Sequence, residues 1–172
     1  MNVLDSVLEL PFVKRTRRNH ALEHATIHML SRRVQHVPMA GRSTPSGFYL
    51  YGNIPTDHVV SAVNEALARL KAGESQLAIH PNCGTNLVTA AGLSGLAAFT
   101  LLNTGRRERN NLERLPSLFL VIAAALVAAQ PIGQAAQQHI TTLADLGNLR
   151  VTSIRQVGQG RMVIHRVDTA SS

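Results

Sequence analysis

A short stretch near the N-terminus combines residue types and spacing that suit a metal site. Residues 20–28 read HALEHATIH, so His20 and His24 are four apart and Glu23 immediately precedes His24. Residues four apart on a helix lie one turn apart on nearly the same face, and two imidazoles placed there can share one Zn²⁺. A bound zinc lowers the pKa of water, and an adjacent glutamate can take the proton as the water attacks an amide carbonyl. We predict that His20 and His24 bind Zn²⁺ and that Glu23 is the catalytic base.

A catalytic zinc also needs a third protein ligand and an open coordination position. His28 offers a third imidazole near the same face of the predicted helix. His80 and Cys83 lie at the end of a predicted strand and in the turn that follows it, where loop side chains can be aimed at a site. Glu65, on the next predicted helix, is the remaining candidate.

Other interpretations of these residues stay open. The helix could be a polar surface helix without a ligand, and Cys83 could be a small packed thiol. His80 and Cys83 could also act as a base and a nucleophile, although no orienting third residue can be named. The other histidines are scattered, and we predict that each is a surface or packing residue: His36, His58, His139 and His165.

The residues around the motif predict a soluble portion made of helices and strands. Asn19 is a good N-cap for the first helix, and Thr56 for the second. In chain order we predict a helix, a loop, a strand, a helix and a short strand over residues 20–33, 38–47, 48–51, 57–71 and 76–80. Residues 149–154 and 161–167 form a predicted β-hairpin around the glycines at 158 and 160. The predicted fold class is α+β, with a small mixed four-stranded sheet and two helices on one face.

Two long uncharged segments interrupt this portion. Residues 87–102 and 115–129 are apolar and rich in Ala and Gly, and uncharged residues extend them to 84–103 and to 138. Their lengths approach what a helix needs to cross a bilayer, so we predict a transmembrane helical hairpin inserted in the domain. Ala91 and Gly95 form a small-xxx-small pair that would allow close helix packing. The alternative is a helical hairpin buried in a soluble core.

The chain therefore divides into four predicted segments: 1–18, 19–83, 84–138 and 139–172. The hairpin link, residues 105–114, carries four arginines, and four basic residues flank the hairpin: Arg69, Lys71, Arg150 and Arg155. The positive-inside rule thus leaves the orientation undecided. The first segment does not resemble a cleaved signal peptide, because its basic cluster follows its apolar part. With a single cysteine, Cys83, this favours a cytoplasmic location for the soluble part.

The charge of the chain indicates its partners. The formal net charge is +7 and the pI is about 11, values that favour anionic membranes or nucleic acid. The basic residues lie near apolar segments, and only two Tyr and four Phe are available to stack on bases. We therefore predict the lipid bilayer as a partner and no nucleic acid. Residues 3–10 predict a short amphipathic helix, which lies either on the bilayer surface or against the protein itself.

Two resemblances follow from these residues. The stretches NHALEHATIHML, GFYLYGNIPTDHVVSAVNEALARLKAGE and LAIHPNCGTNL resemble an uncharacterised bacterial membrane-protein family known only as a domain of unknown function. This resemblance covers roughly residues 18–100; it implies a membrane location and supplies no information about activity. Residues 20–71 are also similar, more loosely, to the start of pitrilysin and insulinase-type peptidases, which share the HxxEH order of inverzincins.

The second resemblance implies that His20 and His24 are zinc ligands and Glu23 is the general base. It does not supply the third ligand, because that family takes it from a downstream glutamate and the corresponding part of this chain is apolar. The leading hypothesis is a membrane-anchored zinc hydrolase of the peptidase class, with protein or peptide substrates. The alternatives are a protein that binds metal or haem through the same histidines without catalysis, and a structural subunit without metal.

Overall fold

The computed structural model describes residues 3–104, 111–160 and 162–171 of the 172-residue chain. The chain forms two compact units. The first unit contains residues up to His80 together with those from Gln138 onward, and the second contains Pro81–Gln137. The first unit has an antiparallel four-stranded sheet with helices, and the second is a pair of long helices. These features confirm the predicted α+β fold class.

The histidine motif lies on a helix that is longer than predicted. A short helix α1 (Val3–Leu8) precedes α2 (Pro11–Arg33), which begins with a proline in its first turn, where the missing N–H has no helical partner in any case. The prediction that Asn19 caps this helix is wrong, because Asn19 lies in its middle and is fully buried. Its side chain donates to the carbonyl oxygen of Thr44 at 2.8 Å and accepts from the Thr169 hydroxyl at 2.7 Å. Asn19 therefore ties the helix to the sheet.

The sheet has the order β1-β2-β4-β3, and every pair of neighbours is antiparallel, so the expectation of a mixed sheet is wrong. Strand β1 (Ala40–Thr44) pairs with β2 (Gly47–Tyr51) and occupies half of the predicted loop. Strands β3 (Arg150–Gln159) and β4 (Val163–Ala170) confirm the predicted C-terminal hairpin and extend it. Arg161, in the predicted second strand, lies outside the described residues.

The strand predicted over residues 76–80 is wrong, because Ser75–Ala78 forms a 3₁₀ turn. Gly73, with φ +96°, ends the preceding helix, and the turn then buries Leu77 and Ala78 in the core. That preceding helix is α3 (Thr56–Lys71), close to its predicted bounds. Thr56 does not cap it, because its hydroxyl is hydrogen-bonded to Nε2 of His165 at 3.0 Å.

One face of the sheet packs on α2 and α3. Apolar residues of the two helices and of β2 and β4 form a continuous core that includes Leu22, Leu30, Phe48, Val63 and Val167. Each such side chain contributes roughly 1.5–3 kcal/mol by leaving water. The opposite face carries polar and aromatic groups, with the Arg166 guanidinium 4.6 Å from the centre of the Tyr49 ring.

The second unit consists of α4 (Gly84–Thr104) and α5 (Leu115–Ala136). Both helices are long and apolar enough to cross a membrane. No residue of α4 is buried, and only Ala129 and Gly133 of α5 are, so the hairpin is not a buried core element. Residues 105–110, which hold most of the predicted basic link, lie outside the described part of the chain.

The predicted close approach at Ala91 and Gly95 is wrong, because both are exposed and a Cβ at Gly95 would meet nothing within 4 Å. The close contact is instead made by Gly133, whose Cβ would lie 3.1 Å from Cα of Asn86.

Candidate metal site

Helix α2 presents three imidazoles along one stripe, and a fourth meets them from the segment after the 3₁₀ turn. The ring centres of His20 and His24 are 4.3 Å apart. The ring of His80 lies 4.8 Å from that of His28 and 5.8 Å from that of His24. Four of the residues predicted from sequence as metal ligands therefore form one cluster within the first unit.

Backbone carbonyl groups hold three of these rings in place. Nδ1 of His20 lies 2.9 Å from the Thr141 oxygen, and Nδ1 of His24 lies 2.7 Å from the Ala78 oxygen. A carbonyl oxygen only accepts, so Nδ1 carries the proton, and a neutral ring then has its lone pair on Nε2. His28 has the opposite arrangement, with Nε2 2.8 Å from the Ile79 oxygen.

This arrangement suits metal binding. Histidines that ligate a metal usually donate their other ring N–H to a carbonyl or carboxylate, which sets the tautomer and the ring orientation. One ring nitrogen of His20 and one of His24 lie within 4.8 Å of each other. Because His24 is only 2% exposed, its ring has few alternative orientations.

The surroundings of His80 favour the unprotonated state that a metal ligand requires. Burial, and then the nearby charges of His28 and His24, lower the pKa of His80 to about 4. His80 is therefore neutral near neutral pH. His80 can therefore accept a cation without first losing a proton.

Glu23 is buried between α2 and the edge strand β1. Its side chain is 4% exposed, and its Oε2 accepts a hydrogen bond of 2.5 Å from the Ser43 hydroxyl. A methyl group at Gly41 would overlap the carboxylate and would lie 2.6 Å from Cγ of Glu23. Position 41 therefore has to be glycine for the Glu23 carboxylate to lie this close to the backbone of β1. The role of Glu23 as a catalytic base stays a prediction.

The remaining candidates lie in different settings. Glu65 forms surface ion pairs with Arg33 and Arg69, so its carboxylate is engaged by these two arginines instead of by the histidine cluster. Cys83 is a buried cysteine of the second unit, and its Sγ accepts from the Thr85 N–H at 3.4 Å. Its Sγ is a ligand atom that could hold a metal ion, and its role stays a prediction.

Sequence reasoning missed the groups that position the imidazoles and the acid. The carbonyls of Ala78, Ile79 and Thr141 carry no sequence signal, because every residue has one. Ser43 was within the predicted loop, so nothing indicated that it would face Glu23. Of the histidines predicted to pack, His165 is fully buried, and burial lowers its pKa.

The fold and the cluster define a small α+β protein with a histidine-rich helix. A long apolar helical hairpin lies between strands β2 and β3 in the order of the chain. The chain belongs to the family described as Domain of unknown function (DUF6391), which matches residues 15–154. It is 37% identical over 169 residues to an uncharacterised protein of Picosynechococcus sp. (strain ATCC 27264 / PCC 7002 / PR-6), covering 91% of this chain and 78% of that protein.

No solved structure matches the chain. The predicted resemblance to a family of unknown function is thus confirmed, and none of these findings supports the likeness to pitrilysin and insulinase-type peptidases.

Proposed function

We propose that this protein is a membrane-anchored, zinc-dependent hydrolase of the peptidase class. The observation that carries the proposal is the pair of adjacent rings, His20 and His24, whose Nδ1 atoms each face a backbone carbonyl. Because the proton on Nδ1 leaves Nε2 as the nitrogen that can offer its lone pair in each ring, the pair suits a shared Zn²⁺.

His80 or Cys83 would complete the site. His80 contacts the rings of His24 and His28 and is held neutral, which supports its assignment. The argument for Cys83 is its position only three residues after His80 in the chain. A bound zinc would supply a Lewis acid that lowers the pKa of water.

Glu23 is assigned to accept the proton from the attacking water. A base must be held in a defined position, and the contacts of Glu23 with Ser43 and Gly41 support this assignment. The proton would then pass to the leaving amine, as general acid–base catalysis of amide hydrolysis requires.

The hairpin is assigned as the membrane anchor. Apolar side chains are exposed along both helices, and a bilayer would cover them: Leu87, Val88, Phe99, Phe119, Leu120 and Val127. We place the protein in the bacterial inner membrane with the first unit in the cytoplasm. The substrates would be membrane-associated or unfolded proteins, because the anchor would tether the protein to the bilayer.

Metal analysis of the full chain purified in detergent tests the zinc site. We expect about one zinc per chain, lost in the variant His20→Ala/His24→Ala and retained in the matched control His139→Ala, whose side chain is exposed. Treating the unsubstituted protein with a chelator, and then returning zinc, checks the same site without a variant. Protein without stoichiometric metal would overturn the proposal in favour of a structural subunit.

The variant Glu23→Gln separates hydrolysis from metal binding. We expect it to keep its zinc and to lose hydrolysis of an unfolded protein such as casein, by roughly 10²–10⁴-fold. The control Glu65→Gln removes an acid that is paired on the surface, and it should keep both properties.

A second candidate function is metal binding without catalysis. The observation that favours it is the hydrogen bond from Ser43 to Glu23, since an acid held in this way can serve to fix the helix against β1. Protein that holds zinc, with no hydrolysis that Glu23→Gln removes, would support this function over the hydrolase.

A further inference from the structure

The hairpin unit contains a pocket that is lined by Cys83, one of the candidate metal ligands, and by residues that have no part in the proposed metal site. The pocket has a volume of about 580 Å³ and opens between α4 and α5 at the end where the hairpin begins. Pockets of this size hold small ligands or short segments of larger ones. The lining residues belong to the second unit alone.

Carboxamides are the polar groups that distinguish this lining. Gln130 and Gln134 lie four residues apart on α5, a spacing that places them on the same face of the helix. Asn86 lies in the first turn of α4, and Asn82 lies in the turn that precedes it. The pocket thus has two amides on one face of α5 and two more at and just before the start of α4.

Asn86 is held in a fixed orientation. Its Nδ2 donates to the Pro81 oxygen at 2.7 Å, and its Oδ1 accepts from Nε2 of Gln137 at 2.7 Å. Gly133 allows α5 to approach Asn86, since a Cβ there would lie 3.1 Å from its Cα. These contacts build one wall of the pocket.

Polar side chains on a helix of this kind need a partner. A carboxamide costs about 1–3 kcal/mol when it is moved out of water without a hydrogen bond, and more in a fully apolar medium. In helices long and apolar enough to cross a bilayer, such residues usually face a cavity and mark a ligand pathway.

The chemistry of the lining limits the ligand. Among the described lining residues there is no charged side chain to pair with a phosphate or a carboxylate, and no aromatic ring for a sugar or a flat ligand to stack on. A carboxamide offers both a donor and an acceptor, which matches the N–H and C=O of a peptide group. Leu87, Ala90 and Leu126 supply apolar surface for side chains.

We propose that the pocket between α4 and α5 binds an uncharged peptide segment in extended form, with Gln130 and Gln134 hydrogen-bonded to its backbone. Binding in the pocket requires no metal, so it does not depend on the proposed zinc chemistry even though Cys83 lines the pocket. It would select segments of unfolded or membrane-inserted proteins that lack charge.

The test measures binding to the full chain in nanodiscs of zwitterionic lipid, in the presence of a chelator. The probe is a short capped peptide of alternating Ser and Leu with a fluorescent label, and binding is followed by fluorescence anisotropy. We expect saturable binding that empty nanodiscs do not show. The same peptide with N-methylated backbone amides should bind about tenfold more weakly or worse, because it has lost its donors.

The protein variants give an independent readout. Gln130→Leu/Gln134→Leu should weaken binding by about tenfold or more, and Asn103→Leu, a carboxamide at the other end of α4 that bonds to the Phe99 carbonyl, should not. The N-methylated peptide tests the unsubstituted protein, so a folding defect in the double variant does not decide the outcome.

Equal binding of the two peptides, or no saturable binding, would overturn the proposal and leave a pocket filled by water. Displacement of the peptide by glycerol phosphate would also overturn it, in favour of a lipid headgroup. Because the readout is binding, failure of the hydrolase proposal leaves this result unaffected.

Discussion

The contact between Gly41 and Glu23 gives a quantitative test of how the acid is held. In the variant Gly41→Ala the new methyl group would overlap the Glu23 carboxylate, so either the acid or the edge strand β1 must move. Overpacking of this kind costs roughly 1–3 kcal/mol. Displacing the carboxylate also removes its hydrogen bond from Ser43, which is worth about 1.5–3 kcal/mol for a charged partner.

Two effects reduce the combined cost of the overpacking and the lost hydrogen bond. Replacing glycine by alanine restricts the unfolded chain and returns about 0.4–1 kcal/mol, since the backbone at Gly41 is not in the left-handed region. Strand β1 is also paired on one side only and can shift. We therefore expect Gly41→Ala to lower the free energy of unfolding by about 2–3 kcal/mol.

A double-mutant cycle isolates the contact. In the background of Glu23→Ala the new methyl group enters space that the acid has left, so Gly41→Ala should cost almost nothing there. The interaction energy should then be about 2 kcal/mol, within the range for residues in contact. Gly160→Ala is the control, because a Cβ at Gly160 meets nothing within 4 Å.

Tyrosine fluorescence provides the assay. The chain has no Trp and two Tyr, Tyr49 and Tyr51, both on the strand that pairs with β1. Urea unfolding in mild detergent, followed by this signal, therefore reports on the first unit. If Gly41→Ala costs the same with and without the Glu23 side chain, the acid is not held against β1 and its assignment as a positioned base fails.

Two further substitutions test contacts that support the helix and the sheet. Asn19→Ala should lower the free energy of unfolding by about 2 kcal/mol, because it leaves the Thr44 carbonyl and the Thr169 hydroxyl without their buried partner; Asn103→Ala, on the exposed hairpin surface, should have little effect on the same tyrosine signal. Asp168 has a pKa below its ordinary value of 3.8, because of the hydrogen bond from Ser153 and then the contact with Arg166. A carboxyl with a lowered folded pKa adds stability above its unfolded pKa, and this stability is lost as the pH falls through the folded pKa. Ser153→Ala should therefore cost about 1.5 kcal/mol at neutral pH and should flatten the loss of stability in acid, whereas parallel pH profiles of the two proteins would contradict this explanation.

The elements with a strong local pattern could be predicted from the sequence. The spacing of Val59, Val63 and Leu70 defines the buried face of α3, and continuous apolar runs define α4 and α5. Strand β1 could not be found in this way, because AGRST has no apolar alternation and its order comes from pairing with β2. The first half of α2 was missed for a similar reason. The basic residues before Asn19 interrupt the apolar periodicity that indicates an amphipathic helix, and Asn19 is a residue type that favours the N-cap position.

The part of the candidate site that depends on residue types and helical spacing could be predicted from the sequence. His20 and His24 are adjacent because residues four apart on a helix lie one turn apart. The position of His80 beside His24 depends instead on the 3₁₀ turn that the structure has where a strand was predicted. A strand would have carried residues 76–80 along a sheet edge. The turn instead directs the carbonyls of Ala78 and Ile79 at the imidazoles of α2.

The groups that orient the imidazoles also lie at particular places in the chain. Ala78 and Ile79 come shortly before the hairpin begins, and Thr141 comes shortly after α5 ends. The two chain segments that lead into and out of the hairpin thus supply the acceptors that set the tautomers of His20, His24 and His28. The segment before the hairpin also takes part in the core, since Leu77 and Ala78 are buried in it, so a change there would disturb the ring orientations and the core together. The orientation of the histidine rings therefore depends on three parts of the chain that lie far apart in sequence, which is why helical spacing alone could not predict it.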